Sequence, residues 1–397
     1  SAFSRRELSE MSCIFVRTYS LLIVLLMIQA SEQRNVLVIL ADDGGFETGV
    51  YNNTVCKTPN LVKLAQQGVV FQRAFTAVSS CSPSRSCLLT GLPTHQNGMY
   101  GLHQGVHGFQ SFQEVKSLPL LLSERGIRTG VGLVLAELEA AGFSDNTLVI
   151  YSSDNGIPFP NGRTNFYEPG VQEPMIIRNP EKPGSAGTRS EALVSLLDIV
   201  PTVLEWFSIP VPQYTIFKKP VTFTGSSLLP LLAQRKSATP RDFIYASHNL
   251  HEITMYYPSR MVRTPNMKLI HNLNNKMPFP IDQDFYVSPT FQDLLNRTEH
   301  GEPLRWSKTL DGYYYRDEWE LYDLDRDPNE LYNVAANETY ATVISELKHV
   351  LFKWQRATND PWICAPHSVL EDSGLYKQDP KCLPLLNERR LTTDQKA

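Results

Sequence analysis

The sequence predicts an α/β sheet with helices on both faces, followed by a smaller C-terminal α+β domain built on an antiparallel sheet. Three observations carry this. "NVLVIL" at 35–40 and "NTLVIYSSDNG" at 146–156 contain continuous apolar, β-branched runs, the pattern of strands buried on both faces. Helical stretches alternate with such runs up to about residue 240. Beyond that point short strand-like segments crowd together.

Taken in order, "TPNLVKLAQQG" at 58–68 predicts a helix with a Thr cap, an early Pro and a terminal Gly. "VVFQRAFTAV" predicts a strand, and "SLPLLLSERG" a helix that ends at Gly126. "VGLVLAELEAAG", from Val131, is a further predicted helix. "EALVSLLDIVPTVLEWF" predicts one long helix interrupted by Pro201. In the second half "DFIYASH", "SRMVRT" and "MKLIHNL" predict short strands. "GYYYRDEWELYDL" adds strand-like character, and "TYATVISELKHVLFKWQRAT" predicts an amphipathic helix. The expected division is a leader at 1–30, a catalytic domain at 31–240 and an antiparallel-sheet domain at 241–397.

The chain has 397 residues, 42% hydrophobic and 20% charged, enough for two domains and a large core. Its net charge of -4 gives no global basic field for nucleic acid. A polyanionic ligand must therefore be held by a local site. Arg17, the apolar run at 21–30 and the small residues Ala30 and Ser31 predict a cleaved signal peptide, with Met11 as a start. Secretory entry agrees with sequons at Asn52, Asn296 and Asn337. Of six cysteines, Cys13 lies in the leader. Cys364 and Cys382 flank a polar, Pro-containing tail and are the expected disulfide, although spacing alone does not fix connectivity. Cys56, Cys81 and Cys87 remain.

The chemistry gathers at three places. Asp42 and Asp43 follow the first buried strand, and Asp154 and Asn155 follow the later one. In open α/β sheets sites form beyond the carboxyl ends of strands. If the two strands run parallel, these side chains converge into an all-oxygen set suited to Ca²⁺ or Mg²⁺ rather than Zn²⁺. Read separately, each cluster is ordinary turn chemistry. The third place is "SSCSPSRSCLLTG" at 79–91. Pro83 fits a first helical turn and Gly91 a stop, so Cys81 stands at a helix N-terminus, where free N–H groups attract anions. Arg85, one turn on, points back to the same place.

"CSPSR" resembles the C-x-P-x-R signature of the type I sulfatases, and "LADDGG" and "SSDNG" resemble that family's metal-binding clusters. Longer stretches, "HQNGMYGLHQ" at 95–104, "SDNGIPFPNGRTN" at 153–165 and the run at 272–298, resemble the branch that removes N-linked sulfate from terminal glucosamine of heparan sulfate. The resemblance implies an alkaline-phosphatase-like fold with a large mixed sheet. It implies that Cys81 is oxidised during secretion, by the formylglycine-generating enzyme, to formylglycine. Its hydrate offers one hydroxyl to attack sulfur and a second to permit collapse back to the aldehyde. By the same resemblance Asp42, Asp43, Asp154 and Asn155 hold one Ca²⁺, joined by the residue at 81, Arg85 stabilises formylglycine and its sulfate, and Arg163 contacts the anionic sugar. It further implies a homodimer that works in the lysosome.

One junction departs from the family. "GIRTG" reads as entry to a strand, but a helix without an Asp or Ser cap follows at once from Val131. Family members carry there a long segment with a sulfate-gripping lysine and histidines. The surviving His95, His103 and His107 belong to a different motif and are assigned structural or pocket-lining roles, and His248 and His251 core or surface roles, with a substrate-pocket role as the alternative. Three functions compete: a sulfohydrolase impaired by the junction, a catalytically inactive splice form or incomplete gene product of the same enzyme, and a phosphoryl-transfer enzyme of the alkaline phosphatase type. The last is disfavoured because its nucleophile is Ser or Thr.

Overall fold

The computed structural model describes residues 34–127, 138, 142–233, 241–304 and 306–385. The expected leader with Cys13, the junction at 130/131 and nearly all of the helix expected from Val131 lie outside the described residues.

The first sheet contains β1 (Asn35–Ala41), β2 (Val69–Phe75), β3 (Thr147–Ser153), β4 (Gln172–Arg178) and β5 (Thr188–Ser195), in the spatial order β1-β3-β4-β2-β5. β1 is parallel to β3 and β2 to β5, whereas β4 runs antiparallel to both its neighbours, so the sheet is mixed. Successive residues of a strand point to opposite faces. Leu148 and Ile150 accordingly join one core cluster, with Met175 and Ile177, and Val149 and Tyr151 join another, with Val70 and Ile176. Helix α1 (Pro59–Gln67) covers the second face through Leu64. Burial on both faces is the physical reason these strands read as unbroken apolar runs.

Two elements differ from the sequence pattern. The predicted long helix at 191–207 is half strand. Glu191 to Ser195 extend along β2 as the end of β5, and a capping box between Ser195 and Asp198 then starts a new turn. Helix α3 (Ile199–Trp206) carries Pro201 in its first turn, where the missing N–H costs nothing, so Pro201 interrupts no helix. β4 is absent from the predicted elements because Pro174 at its centre is a strand-breaking signal. The β2–β4 register shifts between Phe71 and Ala74, beside that proline, so the ladder is already irregular there.

The second sheet holds β6 (Ile244–His248), β7 (Ser259–Arg263), β8 (Met267–Asn272) and β9 (Trp319–Asp323), antiparallel throughout in the order β9-β8-β7-β6. Only the last part of the predicted aromatic strand region is strand. Leu310–Tyr314 is a short helix, capped by the Thr309 hydroxyl. Helix α4 (Ala341–Ala357) lays Leu347, Leu351 and Trp354 on Val262, Leu269 and Leu321. Phe75 and Leu193 of the first sheet pack with Ile244, Ala246 and Met261 of the second, so one apolar cluster joins the two. Cys364 and Cys382 form a disulfide that ties the end of α4's following loop to a C-terminal hairpin. Among the described residues no helix is long and apolar enough to cross a membrane.

Candidate active site

The parallel register of β1 and β3 places Ala41 opposite Ser153. Both strands thus end on one edge, and the chain leaves each into its acidic cluster. The Asp43 amide donates to Asp154 Oδ1 at 3.1 Å, and Asn155 Nδ2 donates to Asp43 Oδ1 at 2.7 Å. Asp43 has a φ of 49°, in the left-handed region that aspartate tolerates better than most residues.

Helix α2 (Cys81–Thr90) begins beside this edge. It stops where Gly91, at a φ of 70°, donates its N–H to Cys87 O. Cys81 Sγ lies 3.7 Å from Asp43 Oδ1, and Asp42, Asp43 and Cys81 offer ligand atoms all within 4.8 Å of one another. Arg85, one turn on, donates from Nε to Asp154 Oδ2 at 2.8 Å and from Nη2 to Asp42 Oδ1. Ser84 Oγ donates to the Asp154 carbonyl at 2.6 Å, which pins the helix to the strand tip. Burial, reinforced by Asp43 and Asp154, pushes the Cys81 thiol up to about 12. The side chain is therefore a neutral thiol and a poor nucleophile as it stands.

Arg163 arrives from the loop after β3 with its side chain only 6% exposed. Nη1 donates to Asp43 Oδ2 at 2.7 Å, and Nη2 to Asp282 Oδ1 at 3.1 Å and Asp284 Oδ2 at 3.2 Å. The family resemblance implies a sugar contact for Arg163. Here its forked nitrogens hold three carboxylates, two of them from the C-terminal half. Asp282 and Asp284 were not anticipated, since an acidic pair in "PIDQDF" carries no local sign of its distant partner.

Five carboxylates (Asp42, Asp43, Asp154, Asp282, Asp284) thus face the two guanidiniums of Arg85 and Arg163. Burial also raises the Asp154 carboxyl above its ordinary range. The Asn155 Oδ1 is buried and has no hydrogen-bond partner among the described residues. Excess negative charge and a spare carbonyl oxygen fit a hard divalent cation of the calcium type.

The histidines divide. His95 is buried between the Ser247 and Thr358 hydroxyls, each 2.8 Å away, and burial lowers its pKa to about 4. His248 is buried on β6 and packs edge-on to Phe166. His251 is buried, in keeping with a core role, and its Nδ1 reaches the start of α2, 2.8 Å from Ser80 Oγ. The His103 amide donates to Ser82 Oγ at 3.0 Å, and His107 Nδ1 accepts from the Ile253 amide at 3.1 Å. Cys87 is wholly buried on α2, Cys56 is exposed, and the sequon residues Asn52, Asn296 and Asn337 are all exposed.

The sulfatase family model matches residues 34–132 and again 130–209. A model described as N-sulphoglucosamine sulphohydrolase, C-terminal, matches 305–357. The chain is 43% identical to human N-sulphoglucosamine sulphohydrolase, over 95% of this chain and 100% of that one. It is 25% identical to an ulvan-active sulfatase of Formosa agariphila, over 83% of this chain and 81% of that one. Among solved structures, a 2-O GAG sulfatase aligns with a TM-score of 0.61 at 16% identity, covering 83% of this chain and 94% of its own. A phosphonate monoester hydrolase of Agrobacterium radiobacter aligns with a TM-score of 0.59 at 16% identity, covering 89% and 100%. These structural likenesses establish the alkaline-phosphatase-like fold. With 43% identity to a sulphohydrolase sustained over 95% of its length, and with the family's pattern running through its first sheet, the chain belongs to the sulfatase family.

Proposed function

We propose that the chain is a sulfohydrolase for N-linked sulfate on terminal glucosamine of heparan sulfate, with turnover impaired by the join at 130/131. The observation that carries the reading is the 3.7 Å approach of Cys81 to Asp43, inside a cage closed by the tips of β1 and β3. The match of its C-terminal part to a sulphoglucosamine-specific model supports the substrate class.

In this reading Cys81 is converted to formylglycine by the formylglycine-generating enzyme, and Asp42, Asp43, Asp154 and Asn155 hold Ca²⁺, completed by the residue at 81. The ion supplies charge neutralisation for the sulfate and acidifies the hydrated aldehyde. Arg85 presents a forked donor to the anion one turn from residue 81. Arg163 keeps Asp43 aligned by holding it against Asp282. The open first turn of α2 offers N–H groups where negative charge collects.

Impairment follows from what the join removes. The family model is matched in two pieces that meet at 130–132. The alignment to the human relative runs over 510 positions, against 397 residues in this chain. Among the described residues the cations reaching the cage are Arg85 and Arg163. His95 is buried between two hydroxyls, His248 packs on Phe166, and His251 is engaged with Ser80, so among the described residues we assign no general acid for the departing amine. Losing one costs roughly 10²–10⁴-fold in rate. The alternative, a catalytically inactive splice form or incomplete gene product, draws on the same junction. Exposed sequons and the Cys364–Cys382 disulfide support passage through the secretory pathway, and we extend the proposal to the lysosome, to a homodimer and to a domain division near residue 240.

The test expresses this chain beside one with the absent segment restored, and assays sulfate release from N-sulfated glucosamine together with a phosphate ester. The expected result is N-sulfate hydrolysis roughly 100-fold or more faster in the restored chain. Equal N-sulfatase rates overturn the impairment. Unmodified thiol at residue 81 in the secreted protein, read by peptide mass spectrometry, overturns the formylglycine reading.

A further inference from the structure

We infer that His251 is a positioning residue for Cys81, acting through the Ser80 hydroxyl. The inference rests on Cys81 being the reacting position. Ser80 is the N-cap of α2, yet its hydroxyl makes no cap hydrogen bond. Three other N-cap serines do cap: Ser117 accepts from Leu120 N, Ser195 from Leu197 N and Ser288 from Phe291 N, whereas the exposed Ser373, like Ser80, makes no cap bond. The difference has a sequence cause. Pro83 occupies the third position of α2, so one of the two N–H groups a cap can bind is missing. Ser80 is fully buried, and its hydroxyl turns instead to His251 Nδ1 at 2.8 Å.

His251 is itself fixed. Its carbonyl accepts from the Leu102 amide at 3.0 Å, and the neighbouring Leu250 amide donates to Tyr100 O at 3.3 Å. The same 100–107 loop binds the other neighbour of Cys81, through the His103 amide on Ser82 Oγ at 3.0 Å. His107 Nδ1 then closes the loop back on Ile253. Cys81 is therefore bracketed by two hydroxyls, each held by a segment that is also bonded to the other. One of those segments follows β6, so the C-terminal half sets the angle at which residue 81 faces Asp43. Because Ser80 leaves the first turn uncapped, fixing it also preserves the open N–H groups at that end.

The chain's own free cysteines test this. Protein is produced with residue 81 left as thiol and alkylated with iodoacetamide, and labelling is followed peptide by peptide. Cys56 is the exposed reference, Cys81 the probe, and Cys87, buried on the same helix, the control for general loosening. His251→Ala and Ser80→Ala are each expected to raise Cys81 labelling roughly two- to tenfold relative to Cys56, the range one hydrogen bond supports, with Cys87 unchanged. His251→Asn, whose amide reaches the place of Nδ1, restores the slow rate. The double variant Ser80→Ala/His251→Ala behaves as either single one. Unchanged Cys81 labelling in His251→Ala, Cys87 labelling that rises in step, or single effects that add in the double variant would each overturn the inference. All of these readings are taken on the thiol form, so they stand apart from whether residue 81 is converted on secretion.

Discussion

Ala41 and Ser153 are the last paired residues of two parallel strands, and that pairing alone puts Asp42 and Asp154 on the same edge of the sheet. A cation held there binds the folded chain and not the unfolded one. Calcium should therefore raise the melting temperature, and a hundredfold excess over Kd should add about 2.7 kcal/mol. Asp154→Ala should abolish the calcium-dependent shift. The measurement is thermal unfolding with calcium against the same protein in chelator, and a shift that survives Asp154→Ala removes the cation from this edge.

Arg163→Ala should destabilise the protein by about 3–5 kcal/mol, because it strands Asp282, whose side chain is 2% exposed, without its partner. Arg163→Lys should recover part of that, since one ammonium does not reproduce three contacts made by a fork. Urea midpoints read this directly, and a loss under 1 kcal/mol (about one exposed pair) contradicts the burial argument.

His95 makes stability depend on pH in a stated direction. Burial lowers its pKa from 6.5 to about 4. As pH falls below 6.5 the unfolded chain takes up this proton first, so stability is lost between 6.5 and about 4 and is fully present above. The loss is on the order of 3 kcal/mol over that window. His95→Gln should flatten the slope of unfolding free energy against pH there. An unchanged slope assigns the titration to other groups.

The disulfide closes a loop of 18 residues in sequence separation. Chain entropy puts its contribution at about 3 kcal/mol. Replacing both Cys364 and Cys382 by serine should lower stability by that order while leaving calcium binding at the distant sheet edge intact. Concurrent loss of calcium binding contradicts the independence of the two sites.

Much of the first sheet was readable because each strand carries its own record. β3 is buried on both faces and β1, at the sheet edge, is half-buried on both, so packing on each face writes a continuous apolar run. β5 was misread, because "EALVSLLDIV" has apolar spacing that suits a helix until the edge of β2 claims its first half. β4 was hidden by Pro174, which only the shifted ladder beside β2 accommodates. The cage followed the same rule. Its four metal-type oxygens stand directly after strand ends and were visible, as was Cys81 before Pro83. Asp282, Asp284 and the contact of His251 with Ser80 were not, for these pairings with Arg163 and Ser80 span more than a hundred residues.

The amino-acid order by itself determined where two strands end in hard oxygen donors and where a helix begins with a cysteine, because those signals are written by neighbours a few residues apart. The tertiary structure decided that the two strand ends lie side by side, that Arg163 grips carboxylates, and that a histidine from the loop after β6 meets the Ser80 hydroxyl. Such contacts arise when packed sheets bring remote segments together, and no local spacing of residues encodes which partner will be met.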